Sequence, residues 1–233
     1  MESIKNTRVC AIILAAGESR RLGENTDKTK IKICEDTVLS HCVRAFEKAD
    51  LISSVIIVAK DSEVDFVKAD TERFRKVVRV VSGGKSRQES ARLGFMAVEE
   101  NVGFIAIHDA ARCLITPDMI NEAVSAAFIH GAATLATRVY DTVKKTDMDG
   151  MISETLPRDT LLLAETPQVF RSDIYSEALN NARSIGSVTD DNSLVENMGY
   201  KIFPVITDKA NLKITTARDI GYAEYILKER GRS

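Results

Sequence analysis

Little in this chain points to a secreted, membrane-bound or polyanion-binding protein. Four cysteines occur among 233 residues: Cys10, Cys34, Cys42 and Cys113. Their spacing fits no metal-ligand signature, and so few thiols in a chain of this length make no disulfide framework. Reduced thiols in a cytoplasmic protein are expected. The N-terminus lacks the long apolar run and small-residue cleavage site of a signal peptide. No stretch reaches the roughly 20 apolar residues needed to cross a bilayer. The net charge is only -2, which argues against a general nucleic-acid or membrane surface. The basic residues must instead be read site by site.

What is present suits one sizeable core. Hydrophobic residues make up 44% and charged residues 28%, a globular composition. Neither an internal repeat nor a linker is visible, so residues 1–233 are expected to form a single domain. Val9 to Leu14 is a continuous apolar run followed by Ala-Ala-Gly, which reads as a buried strand ending at a tight turn. Thr37 can cap a helix carrying Val38, Leu39, Cys42, Val43 and Phe46. Further strands are expected at Ser54–Ala59, Val77–Val81 and Phe104–Ile107. Helices are expected at Ser62–Phe74, Ser86–Glu99 and Pro117–Ile129. This alternation predicts an α/β fold with a mostly parallel, Rossmann-like sheet and helices on both faces.

From Thr134 to Phe170 the helical stripe disappears. Strand-like pieces flank a turn at Asp147-Met148-Asp149-Gly150. The pattern predicts an extended β-arm at about residues 137–165. Such an arm is marginal alone in water and is expected to pack on the same arm of a second subunit. Helices at Ser172–Arg183, Asp191–Met198 and Ala217–Lys228 and a strand at Lys201–Val205 complete the chain. Asp190 and Asp191 read as a helix start, with Thr189 capping it or reaching a ligand. His41 and His108 read as structural.

Ligands of an open parallel sheet bind beyond the carboxyl ends of its strands. The loops there, Ala15–Lys28, Gly83–Ser90 and His108–Arg112, are rich in glycine, charge or hydroxyls. The first is the sharpest: Leu14-Ala15-Ala16-Gly17-Glu18-Ser19-Arg20-Arg21-Leu22-Gly23, then Lys28. Small residues let backbone N–H groups approach a phosphate chain. Arg21 and Lys28 can neutralise it. Neither GxxxxGK[ST] nor GxGxxG is present, so a P-loop and an NAD-type dehydrogenase are both excluded.

This loop resembles the nucleotide-binding signature of the sugar-phosphate nucleotidyltransferase superfamily. Six further stretches follow in order: Gly83-Gly84 with Arg87 and Ser90, His108-Asp109-Ala110-Ala111-Arg112, Asp141-Thr142-Val143-Lys144, Thr166-Pro167-Gln168 with Phe170, Thr189-Asp190-Asp191, and Asn211 with Lys213-Ile214-Thr215. Together they resemble the methylerythritol-phosphate cytidylyltransferase family of non-mevalonate isoprenoid synthesis. The resemblance runs from about Val9 to Leu227. It implies transfer of CMP from CTP to a small polyol phosphate, with Mg²⁺ bound mainly on the CTP phosphates, in a homodimer with interlocked arms. It implies catalytic roles for Arg21, Lys28, Arg158 and Lys213. Ala15, Ala16, Gly17, Gly84, Ser90 and Asp109 would hold CTP, and Asp109 is also the candidate metal ligand. Arg112, Thr142, Thr166 and Thr189 would hold the acceptor, with Thr142 and Arg158 reaching it in the partner's site. Ser19, Asp27, Cys113 and Ala136-Thr137-Arg138 depart from the family pattern. Ribitol 5-phosphate as acceptor, and a silent nucleotide-binding module on the same fold, stay open.

Overall fold

The computed structural model describes residues 7–17, 28–181 and 189–231. In chain order the strands and helices are β1 Arg8–Leu14, β2 Lys32–Ile33, β3 Asp36–Thr37, α1 Val38–Lys48, β4 Ser54–Ala59, α2 Val64–Thr71, β5 Val77–Ser82, α3 Arg87–Met96 and β6 Val102–Asp109. There follow α4 Pro117–His130, β7 Ala132–Arg138, β8 Val143–Thr146, β9 Ile152–Leu156, β10 Leu162–Arg171, α5 Ser172–Asn181, α6 Asp191–Glu196, β11 Phe203–Ile206 and α7 Ala217–Arg230.

A sheet of seven strands in the order β11-β7-β10-β6-β1-β4-β5 forms the centre. All its neighbours pair in parallel except β10, which runs antiparallel to both β6 and β7. Both faces of β1 and β4 are buried, which is why these strands read as unbroken apolar runs. Alternate residues point to opposite faces. Val9, Ala11 and Ile13 join Leu39, Phe46, Met119 and Val124 of α1 and α4 on one side. Cys10, Ile12 and Leu14 join Ala91, Tyr175 and Leu194 of α3, α5 and α6 on the other. A smaller cluster gathers Ile33, Val38, Leu114, Ile214 and Ala223 beneath α7.

Local chemistry sets the helix starts. The Thr37 hydroxyl accepts from the Ser40 N–H, and the Ser86 hydroxyl accepts from the Glu89 N–H. Thr116 caps α4, whose first position is Pro117. At α6 the cap is Asp190, whose carboxylate accepts from the Ser193 N–H, rather than Thr189. A carboxylate serves as well as a hydroxyl there, and the register is one residue later. The second helix is also shorter than expected: a 3-10 turn occupies Asp61–Glu63 and regular helix begins at Val64.

The segment from Thr134 to Phe170 divides in two. Its ends, β7 and β10, are strands of the central sheet, buried at Ala132–Ala136 and at Glu165–Phe170. Between Arg138 and Leu162, which pair with each other, lies a separate two-stranded ribbon of β8 and β9. The turn joining these two strands is held by the Asp147 carboxylate, which accepts from the N–H groups of Asp149 and Met151.

Candidate active site

Four parallel strands, β6, β1, β4 and β5, lie side by side and end at the same edge of the sheet. Backbone bonds carry this order into the loops. Ala15 N–H donates to Val58 O, Gly83 N–H to Ala59 O, and Ala110 N–H to Leu14 O. Ile214 N–H donates to Ala111 O at 2.8 Å, which draws the 211–215 segment to the same edge. The result is a cleft of about 700 Å³, within the size range of small-molecule sites.

Ala15, Ala16, Gly17, Lys28, Gly84, Ser90, Asp109 and Lys213 all line this cleft, so most of the residues singled out in the sequence meet in one place. Arg21 lies outside the described residues. The glycine loop fits tightly: a Cβ on Gly83 would lie 2.6 Å from the Ala16 Cβ and 2.9 Å from the Ser90 Oγ. The Ser90 hydroxyl is buried and accepts from the Gly84 N–H at 3.1 Å. It therefore shapes the loop from below.

Asp109 ends β6 between two cations. Lys213 Nζ donates to its Oδ2 at 2.6 Å, and Arg87 Nε donates to its Oδ1 at 3.1 Å. Burial alone would push this carboxyl up; Arg87 and Lys213 outweigh it and hold the group well below the usual carboxylate range. Burial likewise opposes the charge of Arg87, but Asp191 and Asp109 raise its affinity for the proton above the ordinary value.

Sequence reasoning gave Arg87 no role of its own, and it missed Lys60, Asp61, Lys85 and Ser86, which also line the cleft. The signal was their position just past the carboxyl ends of β4 and β5. Among the described lining residues Lys28, Lys60, Lys85, Arg87 and Lys213 are basic and Asp61 and Asp109 acidic. That excess suits a polyanion.

The other candidates sit elsewhere. Thr166 is buried beneath the cleft, where its hydroxyl accepts from the Asp109 N–H at 3.2 Å and bonds His108 Nδ1 at 2.9 Å. Arg112 turns to Asn211, donating to its carbonyl at 2.8 Å, with Glu165 3.9 Å away. Thr189 stands before α6, outside the cleft lining. Thr142 and Arg158 are exposed at the base of the ribbon, before β8 and after β9, and Arg158 donates to the Tyr140 carbonyl at 2.7 Å. Burial pushes the His108 ring down to about 3. It is a neutral structural group, not a proton carrier near pH 7.

A family model described as 2-C-methyl-D-erythritol 4-phosphate cytidylyltransferase matches residues 9–229. A relative of that name from Pelotomaculum thermopropionicum is 39% identical over 96% of this chain and 95% of its own. One from Caldanaerobacter subterraneus is 36% identical over 95% and 99%. The crystal structure of 4-diphosphocytidyl-2C-methyl-D-erythritol synthase from Anaerococcus prevotii superposes with a TM-score of 0.86 at 26% identity, covering 95% of this chain and 99% of that one.

Proposed function

The chain belongs to the 2-C-methyl-D-erythritol 4-phosphate cytidylyltransferase family, and on that premise we propose how its sheet-edge cleft performs the transfer. The enzyme is a nucleotidyltransferase. It moves CMP from CTP to 2-C-methyl-D-erythritol 4-phosphate, giving 4-diphosphocytidyl-2-C-methyl-D-erythritol and pyrophosphate, in non-mevalonate isoprenoid precursor synthesis.

The triphosphate lies along Ala15–Gly17 and the Gly83-Gly84 turn, where small residues let it approach the backbone closely. An oxygen of the acceptor phosphate attacks the α-phosphorus. The new O–P bond forms as the bond to the β-phosphate oxygen breaks, and pyrophosphate leaves with that electron pair. The acceptor phosphate is already a nucleophile, so no general base is needed; the task is to bring two anions together and stabilise charge. Lys28 faces the α-phosphate, a task that the family signature assigns to Arg21 as well, Lys213 receives the acceptor phosphate, and Asp109 stands between the two ends. Thr166 acts by holding the Asp109 backbone, while Arg112 and Thr189, outside the cleft lining, are assigned to the acceptor by the family resemblance alone.

A divalent cation fits this donor set. Mg²⁺ is held by one or two carboxylates plus substrate phosphates, and Asp109 opens onto the cleft. Asp109 would hold it, directly or through water, and the bound ion would neutralise triphosphate charge.

Residues 1–233 act as one catalytic domain, and the ribbon acts as the arm of a homodimer. It exposes Met148, Met151 and Ile152, with Tyr140 at its base, and a two-stranded ribbon gains stability only by packing. Thr142 and Arg158 lie at its base and away from the cleft of their own chain, as residues serving a partner's site would. None of the described helices is long and apolar enough to cross a membrane, consistent with work in the cytoplasm on small phosphorylated substrates.

The observation that carries this reading is the meeting of Lys28, Arg87, Asp109 and Lys213 in one cleft. Its test is pyrophosphate release from CTP and Mg²⁺ with methylerythritol phosphate or ribitol 5-phosphate supplied separately. Release with the first alone is expected. Release with ribitol 5-phosphate alone would overturn the acceptor, and release with neither, in protein that binds CTP, would favour a silent module.

A further inference from the structure

Gln168 on β10 and Asp191 at the start of α6 carry signature positions that the transfer itself leaves without a task. Both side chains are buried. Gln168 Oε1 accepts from the N–H groups of Asp191 and Asn192 at 3.0 and 3.2 Å, and its Nε2 donates to Asp190 Oδ2 at 2.7 Å. The start of α6 is thereby pinned to the sheet. Asp191, 2% exposed, then points inward. Its Oδ1 accepts from the Tyr175 hydroxyl at 2.7 Å and its Oδ2 from Arg87 Nη1 at 2.6 Å. Through Nε the same guanidinium reaches Asp109. Charges therefore alternate from Asp191 through Arg87 and Asp109 to Lys213.

The two cations on Asp109 are not equivalent. Arg87 holds two carboxylates at once with a planar fork. If it moved, Asp191 would be left buried without a cation, which is costly. Among the described residues Asp109 is the one carboxylate on Lys213, whose side chain is 40% exposed. If Lys213 moved, Asp109 would keep Arg87. An arriving phosphate therefore meets one cation that can leave and one that cannot.

We propose that Asp191, backed by Tyr175 and Gln168, is a positioning residue that anchors Arg87 on Asp109, so that Lys213 is the cation released to an incoming substrate phosphate. The inference rests on the cytidylyltransferase reading for what the cleft binds, but the anchoring itself belongs to the unliganded protein.

The first readout is the Arg87 Nε–H signal in nitrogen-edited NMR of the whole protein, assigned by its loss in Arg87→Lys. In wild type it exchanges slowly with water and stays protected when CTP is added. Asp191→Asn speeds its exchange about tenfold, the scale of a lost charge-assisted bond. Tyr175→Phe, which keeps the ring packing, speeds it less, and serves if Asp191→Asn does not fold. The second readout is kinetic. Asp191→Asn lowers kcat about tenfold with the KM for CTP within about threefold, the pattern of an interaction made in the transition state. Placed on Arg87→Lys, it adds little further loss, because its effect passes through Arg87. Unchanged exchange in both variants, loss of the signal on CTP binding, or a full extra loss on Arg87→Lys would each overturn the proposal. Wild-type protein that releases no pyrophosphate would count against the cytidylyltransferase reading instead, while the Arg87 signal would still decide the anchoring.

Discussion

Single residues here act mainly by holding charge in place. His108 makes the cleft floor sensitive to acid although it takes no part in transfer. Its folded value of about 3 lies below the unfolded value of about 6.5. Between those limits the unfolded chain binds a proton that the folded chain refuses, so stability falls as pH drops through that window, by up to about 1.4 kcal/mol per unit. Asp109, depressed below its unfolded value, adds stability that is present above about pH 4 and lost below it. Urea unfolding across pH 6.5 to 4 should show a shallower slope for His108→Gln than for wild type. Equal slopes would contradict the burial of a neutral ring. The order of site residues along the chain was legible, since Lys28, Asp109 and Lys213 stand in motifs and do meet. The role of Arg87 was not. Its partners lie 22 and 104 residues away, and pairing over that distance leaves no local pattern.

At the scale of elements, close packing outweighs propensity. Gly94 lies in α3, where alanine would ordinarily stabilise the helix by about 1 kcal/mol. A Cβ there would come within 2.5 Å of Ile12 Cγ2 and 2.8 Å of Val58 Cγ2. Overpacking of this kind costs about 1–3 kcal/mol. Gly94→Ala is therefore expected to lower the urea midpoint without changing the slope of the transition, and a raised midpoint would show that α3 can shift away from β1 and β4. The same density explains which strands could be read. Val9–Leu14 and Ser54–Ala59 are apolar because both faces of the sheet are covered. By contrast β7, Ala-Ala-Thr-Leu-Ala-Thr-Arg, is buried at Ala132, Ala133, Thr134, Leu135 and Ala136 yet carries small and hydroxyl side chains. It resembles an exposed ribbon in composition, so the sequence did not mark it as a strand of the central sheet. Asp190 and Thr189 are both accepted caps on paper, and the fold chooses between them.

For the whole molecule, the proposed division of labour between subunits has a direct test. Lys28→Ala removes a cation at the α-phosphate, and Arg158→Ala removes the arm's contribution, so each homodimer should be nearly inactive. In a purified mixed dimer one site would pair an intact Lys28 with an intact Arg158 from the other chain. About half of wild-type turnover is expected if half the sites are whole. No recovery in verified mixed dimers would place Arg158 outside the partner's site. One architectural detail reaches further. Because β10 runs against its neighbours, the chain leaves the sheet at Arg138 and re-enters at Leu162 directly alongside, at the same edge as the catalytic loops. Everything between those two points is a cassette whose ends are already closed. Insertions and deletions within it leave the core register untouched, so the ribbon can change in length and sequence without disturbing the strands that carry the cleft.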